Sequence, residues 1–142
     1  MVFLANVSEP SAMSNRLLEF IRNGGGIVMS LGSNVSADRY NSAFADLLPV
    51  QLRKIEQLVA SGEEGLPTML PDASMSLFSP FLRGGLQEFP KVRWHKMFSV
   101  EAYNDSDDVR TLLRLENGYP LLIEKKVGRG KILLLTSTID LQ

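Results

Sequence analysis

Phe20-Ile21-Arg22-Asn23-Gly24-Gly25-Gly26-Ile27-Val28-Met29-Ser30-Leu31 decides the fold class. The stretch closes an amphipathic run and opens a short apolar one, with three glycines between them. Upstream, Met13, Leu17, Leu18, Phe20 and Ile21 recur at roughly helical spacing, while Asn15, Arg16, Glu19 and Arg22 fall on the other face. Gly24-Gly25-Gly26 stops that helix, because the left-handed conformation past a helix C-terminus is cheapest for glycine. Residues 27–31 then read as a buried strand. Further back, Ser8-Glu9-Pro10-Ser11 offers a capping hydroxyl, an acidic residue and a first-turn proline for the helix start. Before it, Val2-Phe3-Leu4-Ala5-Asn6-Val7 is apolar on both faces apart from Asn6 and reads as a buried strand with neighbours on both sides. Strand, helix, glycine stop and strand make a βαβ unit. Residues 2–7 and 27–31 are therefore expected as parallel neighbours or near neighbours in one sheet.

Outward from this unit, Gly32-Ser33-Asn34-Val35-Ser36 reads as a loop, with Ser36 capping a helix over 37–48 that Pro49 stops. Residues 51–59 fit a strand or a helix equally. Gly62, Gly65, Pro67, Pro71 and Pro80 make 60–80 a long loop, with a short helical turn over 77–82. Residues 92–103 largely alternate, placing Val92, Trp94, Lys96, Phe98, Val100 and Ala102 on one side. A strand over 109–115 is followed by Asn117-Gly118, a strong hairpin turn, and 120–127 returns antiparallel. Gly128-Arg129-Gly130 turns into 131–136, which is apolar enough to lie inside the main sheet. The expectation is one α/β domain over residues 1–142, with a mixed sheet: a parallel core and antiparallel strands near the C-terminus.

Composition narrows the function. In 142 residues, 15 Lys and Arg balance 16 Asp and Glu, so no net field draws nucleic acid or an anionic membrane. The chain contains no Cys, which excludes thiol nucleophiles, zinc–thiolate sites and iron–sulfur clusters. No run approaches the roughly 20 apolar residues that a spanning helix needs. Both ends fall on core strands, so the sequence is expected to be a fragment of a longer protein, whose own membrane segments would lie elsewhere. A sheet edge left open by that cut is expected to pair with another copy.

The segments Val2–Val7, Phe20–Val28 and Val127-Gly128-Arg129-Gly130-Lys131-Ile132-Leu133-Leu134-Leu135 together carry a family resemblance. So do Tyr40-Asn41 through Asp46-Leu47-Leu48-Pro49 and the ending Thr136-Ser137-Thr138-Ile139-Asp140. The chain resembles the class I glutamine amidotransferase-like domain of bacterial Bat-type (aerotolerance-related) membrane proteins, which also carry a von Willebrand factor A domain. That resemblance implies a flavodoxin-like sheet, here without its first strand or strands. It also implies a site after the strand that follows the glycines, where amidotransferases hold a Cys on a sharp elbow. Here that stretch is Met29-Ser30-Leu31-Gly32-Ser33-Asn34, with no Cys, so the resemblance implies a fold that has lost the chemistry.

Serine does not replace the missing thiol on pattern. A serine elbow wants Gly on both sides of the nucleophile, yet Ser33 has Leu31 and Val35 two residues away and Ser30 has Val28 and Gly32. The single His, His95, reads as a surface residue on an alternating strand, so no base is evident. Gly24-Gly25-Gly26 ends a helix, whereas a phosphate loop precedes one. Gly128-Arg129-Gly130-Lys131 lacks the upstream Gly and following Ser or Thr of a Walker motif and reads as a turn. Asp105, Asp107 and Asp108 lack the Gly and terminal Glu of an EF-hand and read as an acidic turn.

Open α/β sheets bind ligands outside the carboxyl ends of their parallel strands. Those ends carry Asn6 and Ser8, then Gly32, Ser33 and Asn34, then Ser137, Thr138 and Asp140, all small and polar except the last, which is acidic. They are the candidate ligand or partner contacts, and equally ordinary capping residues. No metal and no cofactor is expected. The functional expectation is a non-catalytic amidotransferase-like module of a membrane-anchored bacterial envelope protein, acting in protein interaction or ligand sensing. Its partners would be other domains of the parent chain or envelope proteins, with the parent in the inner membrane and this domain extracytoplasmic. The alternative is a small-molecule-binding or degenerate hydrolase domain using the same polar cluster.

Overall fold

Three parallel strands and two antiparallel ones make the main sheet of the computed structural model, which describes residues 1–60, 62–69 and 93–137. In chain order the elements are β1 (Val2–Ala5), α1 (Ser14–Arg22), β2 (Gly26–Ser30), α2 (Ala37–Ala43) and β3 (Leu52–Gln57). Then come β4 (Leu66–Pro67), β5 (Arg93–Trp94), β6 (Lys96–Val100), β7 (Val109–Arg114), β8 (Pro120–Val127) and β9 (Gly130–Leu135). The main sheet runs β1-β2-β9-β8-β7. The βαβ unit is as expected: β1 and β2 pair parallel from Val2 opposite Ile27 to Ala5 opposite Ser30. β9 lies parallel on the other side of β2, from Gly26 opposite Lys131 to Ser30 opposite Leu135. β8 joins β9, and β7 joins β8, both antiparallel.

One register row explains where the core sits. Leu4, Met29, Leu134 and Ile123 lie opposite one another across four strands and are all buried. They share a cluster with Leu17 and Ile21 of α1 and with Tyr40 and Phe44 beside and within α2. Burying Leu17 and Ile21 is worth about 1.5–3 kcal/mol each, more than the ~1 kcal/mol of a side-chain cap. This is why α1 tolerates a start without one: the helix begins at Ser14 behind Met13, with no capping side chain, rather than at Ser8–Ser11. Phe20, expected on the buried face, is 36% exposed. The glycine stop is as read, with Gly24 at φ 105° and the Gly25 amide donating to the Phe20 carbonyl.

Both C-terminal turns form where expected, with Gly118 at φ 90° and Gly128 at φ 58°. The meander is shorter than expected. The alternating run does not join the main sheet; it breaks at His95 into β5, paired with β4, and β6, paired antiparallel with β3. Met97 and Phe98 are both buried, facing separate clusters on the two sides of β6, so the alternation expected there fails, and Lys96 is exposed. Residues 52–57, ambiguous in sequence, are strand because β6 pairs with them. α2 ends at Ala43, earlier than 48, although Ser36 caps it by accepting from the Arg39 amide at 3.4 Å. The expected long loop contains β4, and the turn expected over 77–82 lies outside the described residues. Among the described residues β1 is an edge strand with Phe3 56% exposed, not a strand flanked on both sides. No helix among them is long and apolar enough to cross a membrane.

Candidate functional site at the carboxyl ends of the parallel strands

Asn6 follows the last residue of β1, and its φ of 51° turns the chain out of the sheet. Asn tolerates this left-handed conformation better than most side chains. The Asn6 amide N–H still donates to the Ser30 carbonyl, at 3.1 Å. Its side-chain Oδ1 accepts the Asn34 backbone N–H at 2.8 Å, so the loop after β1 is tied to the loop after β2. Gly32 allows that approach: a Cβ there would stand 2.5 Å from Asn6 Oδ1. Ser33 and Asn34 are exposed on top of this latch, and Ser8 is exposed beside it.

The helix that follows braces the same loop. Tyr40 of α2 is buried, donates its hydroxyl to the Val7 carbonyl at 2.6 Å, and meets Phe44 edge-on at 5.3 Å. Burial raises the Tyr40 pKa above the ordinary phenol value. Arg39 and Glu9 form an exposed ion pair across the two segments. The two loops, with their polar residues Asn6, Ser8, Ser33 and Asn34, are thus held by a latch, a buried phenol and an ion pair. Such an arrangement presents hydrogen-bonding groups without first having to order them.

The third strand end differs. Ser137 is buried and donates its hydroxyl to the Lys96 carbonyl at 2.7 Å, while the Phe98 amide donates to the Thr136 carbonyl at 2.8 Å. Ser137 therefore fastens β6 to the end of β9, and its hydroxyl proton is already committed. Thr138 and Asp140 lie outside the described residues. The structure thus brings Asn6, Gly32 and Asn34 together, leaves Ser8 and Ser33 exposed nearby, and assigns Ser137 to the scaffold. Sequence reading missed the braces Tyr40, Arg39 and Glu9, and missed β6 at this end of the sheet. Tyr40 carried a signal, being the polar-tipped member of the α2 apolar set, whereas the others rest on tertiary approach.

Ser30 is 1% exposed, and its Oγ has no hydrogen-bond partner among the described residues. A hydroxyl sealed in this way has no access to a substrate. His95 sits exposed in the bend between β5 and β6, its carbonyl accepting from the Leu58 amide at 2.7 Å. Among the described residues no three His, Cys, Asp or Glu side chains are grouped to hold a metal. Asp105 accepts from the Thr111 amide and hydroxyl, at 3.2 and 2.9 Å, which fits the acidic-turn reading. Two surface depressions lie elsewhere: one of about 300 Å³ between β3 and β6, including Arg53, Lys54 and Tyr119, and one of about 610 Å³ by Met1, Phe20 and the glycines.

No family model matches the chain, and no curated protein matches it in sequence. Solved structures do share its fold. A cytoplasmic protein of Salmonella typhimurium superposes with a TM-score of 0.72 at 17% identity, over 99% of this chain and 61% of that one. A second cytoplasmic protein, from Salmonella typhimurium LT2, gives 0.68 at 18% identity with the same coverage. A cold-adapted β-galactosidase of Rahnella sp. R3 gives 0.64 at 11% identity, over 97% of this chain but 20% of that enzyme. These likenesses establish a mixed α/β fold. The chain spans about 61% of the length of the first two.

Proposed function

We propose that the chain is a non-catalytic module of a larger protein, recognising a protein partner through the braced loops after β1 and β2. The observation that carries this reading is the Asn6–Asn34 latch, which holds Ser8, Ser33 and Asn34 exposed on a rigid base. The sealed Ser30 and the exposed, separately placed His95 offer no nucleophile–base pair, which supports a binding role over hydrolysis. The resemblance to class I amidotransferase-like domains extends the proposal: a flavodoxin-like sheet in a membrane-anchored bacterial envelope protein, with this domain extracytoplasmic. Partial coverage of the longer Salmonella proteins supports a module with further chain.

The test compares affinity capture by the wild-type chain and by Ser33→Glu/Asn34→Glu, two exposed changes that leave the latch backbone in place. The expected result is loss of specific partners from the variant at unchanged thermal stability. Identical partner sets, or a turnover that Ser33→Ala abolishes, would overturn the proposal.

A further inference from the structure

The two edges of the main sheet are built differently. β7 is covered at its far end by residues 67–69, with the Met69 amide donating to the Arg114 carbonyl at 2.8 Å and Thr68 bridging Leu115, and it carries Arg110 and two register shifts against β8, devices that blunt an edge. β1 carries none of these: Met1 through Val7 contain no charged side chain, no proline and no bulge. Among the described residues nothing pairs with its outer side. Because Asn6 donates its amide to β2, alternation directs the Phe3 and Ala5 backbone groups outward, away from β2. Phe3 is 56% exposed, and in its register row stand half-buried Val28 and Leu133 on the less covered face of the sheet. Met1 is 91% and Phe20 36% exposed in the depression at the amino end of the same strand.

We infer that a second copy of this chain pairs antiparallel along β1, joining two five-stranded sheets into one across a two-fold axis. Charge permits a like partner in one orientation. No side chain of the strand is charged, the depression beside it holds Arg16, Glu19 and the Met1 ammonium, and an antiparallel pair centred on Phe3 sets the two ammonium groups at opposite ends. The register centred on Phe3 sets the two Phe3 rings side by side and pairs the outward Phe3 and Ala5 amides with carbonyls of the other copy.

The test is light scattering over a concentration series with the 142-residue chain. The expected mass is twice 15.8 kDa. Ala5→Pro removes an outward N–H, which an edge strand tolerates, so a folded variant with half the wild-type mass is expected. Phe3→Lys keeps every backbone group and is expected to give the same halving, which decides the matter where the proline variant does not fold. A wild-type chain that stays at 15.8 kDa, or a folded variant that stays dimeric, overturns the inference.

Discussion

Tyr40 shows how one side chain serves both packing and the candidate site. Its ring belongs to the core, while its hydroxyl holds the loop that ends β1. Tyr40→Phe keeps the ring and deletes the hydrogen bond, with an expected cost of about 1 kcal/mol by chemical denaturation. The pH dependence has a definite sign. The folded-state pKa is raised above the unfolded value near 10.0, because burial disfavours the phenolate. The stability linked to this group is therefore complete below pH 10 and is lost as pH rises through the folded-state pKa. Tyr103 is shifted in the same direction by the same dominant cause, so it adds to the alkaline loss. Tyr40→Phe is expected to flatten the stability curve above pH 10 while leaving it unchanged in shape around neutrality; an unchanged alkaline limb would refute the assignment.

At the scale of elements, the approach of α1 to the β8–β9 turn matters most. Arg129 donates its amide to the Arg22 carbonyl at 3.2 Å, and a Cβ on Gly130 would lie 2.2 Å from the Ile21 carbonyl and 2.3 Å from that of Gly25. Backbone on both sides leaves no flexible group to yield. Gly130→Ala is expected to cost roughly 1–3 kcal/mol, as overpacking does. Gly118→Ala meets no neighbouring atom and bears only its positive φ, so its melting temperature should fall less. The βαβ unit, the glycine stop and both turns were legible because each is written in local pattern: helical spacing, a glycine run, Asn-Gly. The break at His95 was not, since it depends on β3 and β4 drawing the two halves of one alternating run to different partners. For the site, strand-end logic located Asn6, Gly32 and Asn34 but not the commitment of Ser137 to Lys96, which joins residues far apart in sequence. Nor did pattern reveal that a strand apolar on both faces stands at an edge.

Across the whole molecule, protection against solvent exchange should follow sheet position. β9 lies between β2 and β8, and its Ile132 and Leu134 are fully buried, whereas β1 and β7 form the edges. Native-state hydrogen exchange is expected to be slowest at β9 and β2 amides and fastest among strands at the outward Phe3 and Ala5. Slower exchange at Phe3 and Ala5 in concentrated than in dilute samples would accompany pairing of copies; β9 exchanging as fast as β7 would contradict the sheet order.

The placement of β9 also governs when the molecule is able to form. Gly26 finds its partner in Lys131, and the N-terminal βαβ unit stays unsealed on one side until the last strand arrives. During synthesis, β1, α1 and β2 leave the ribosome long before the strand that closes their sheet. Long-range parallel pairing of this kind is slow to nucleate. A chain cut before residue 130 has every element of the βαβ unit but lacks the central strand of the sheet, so β2 is left with one open side.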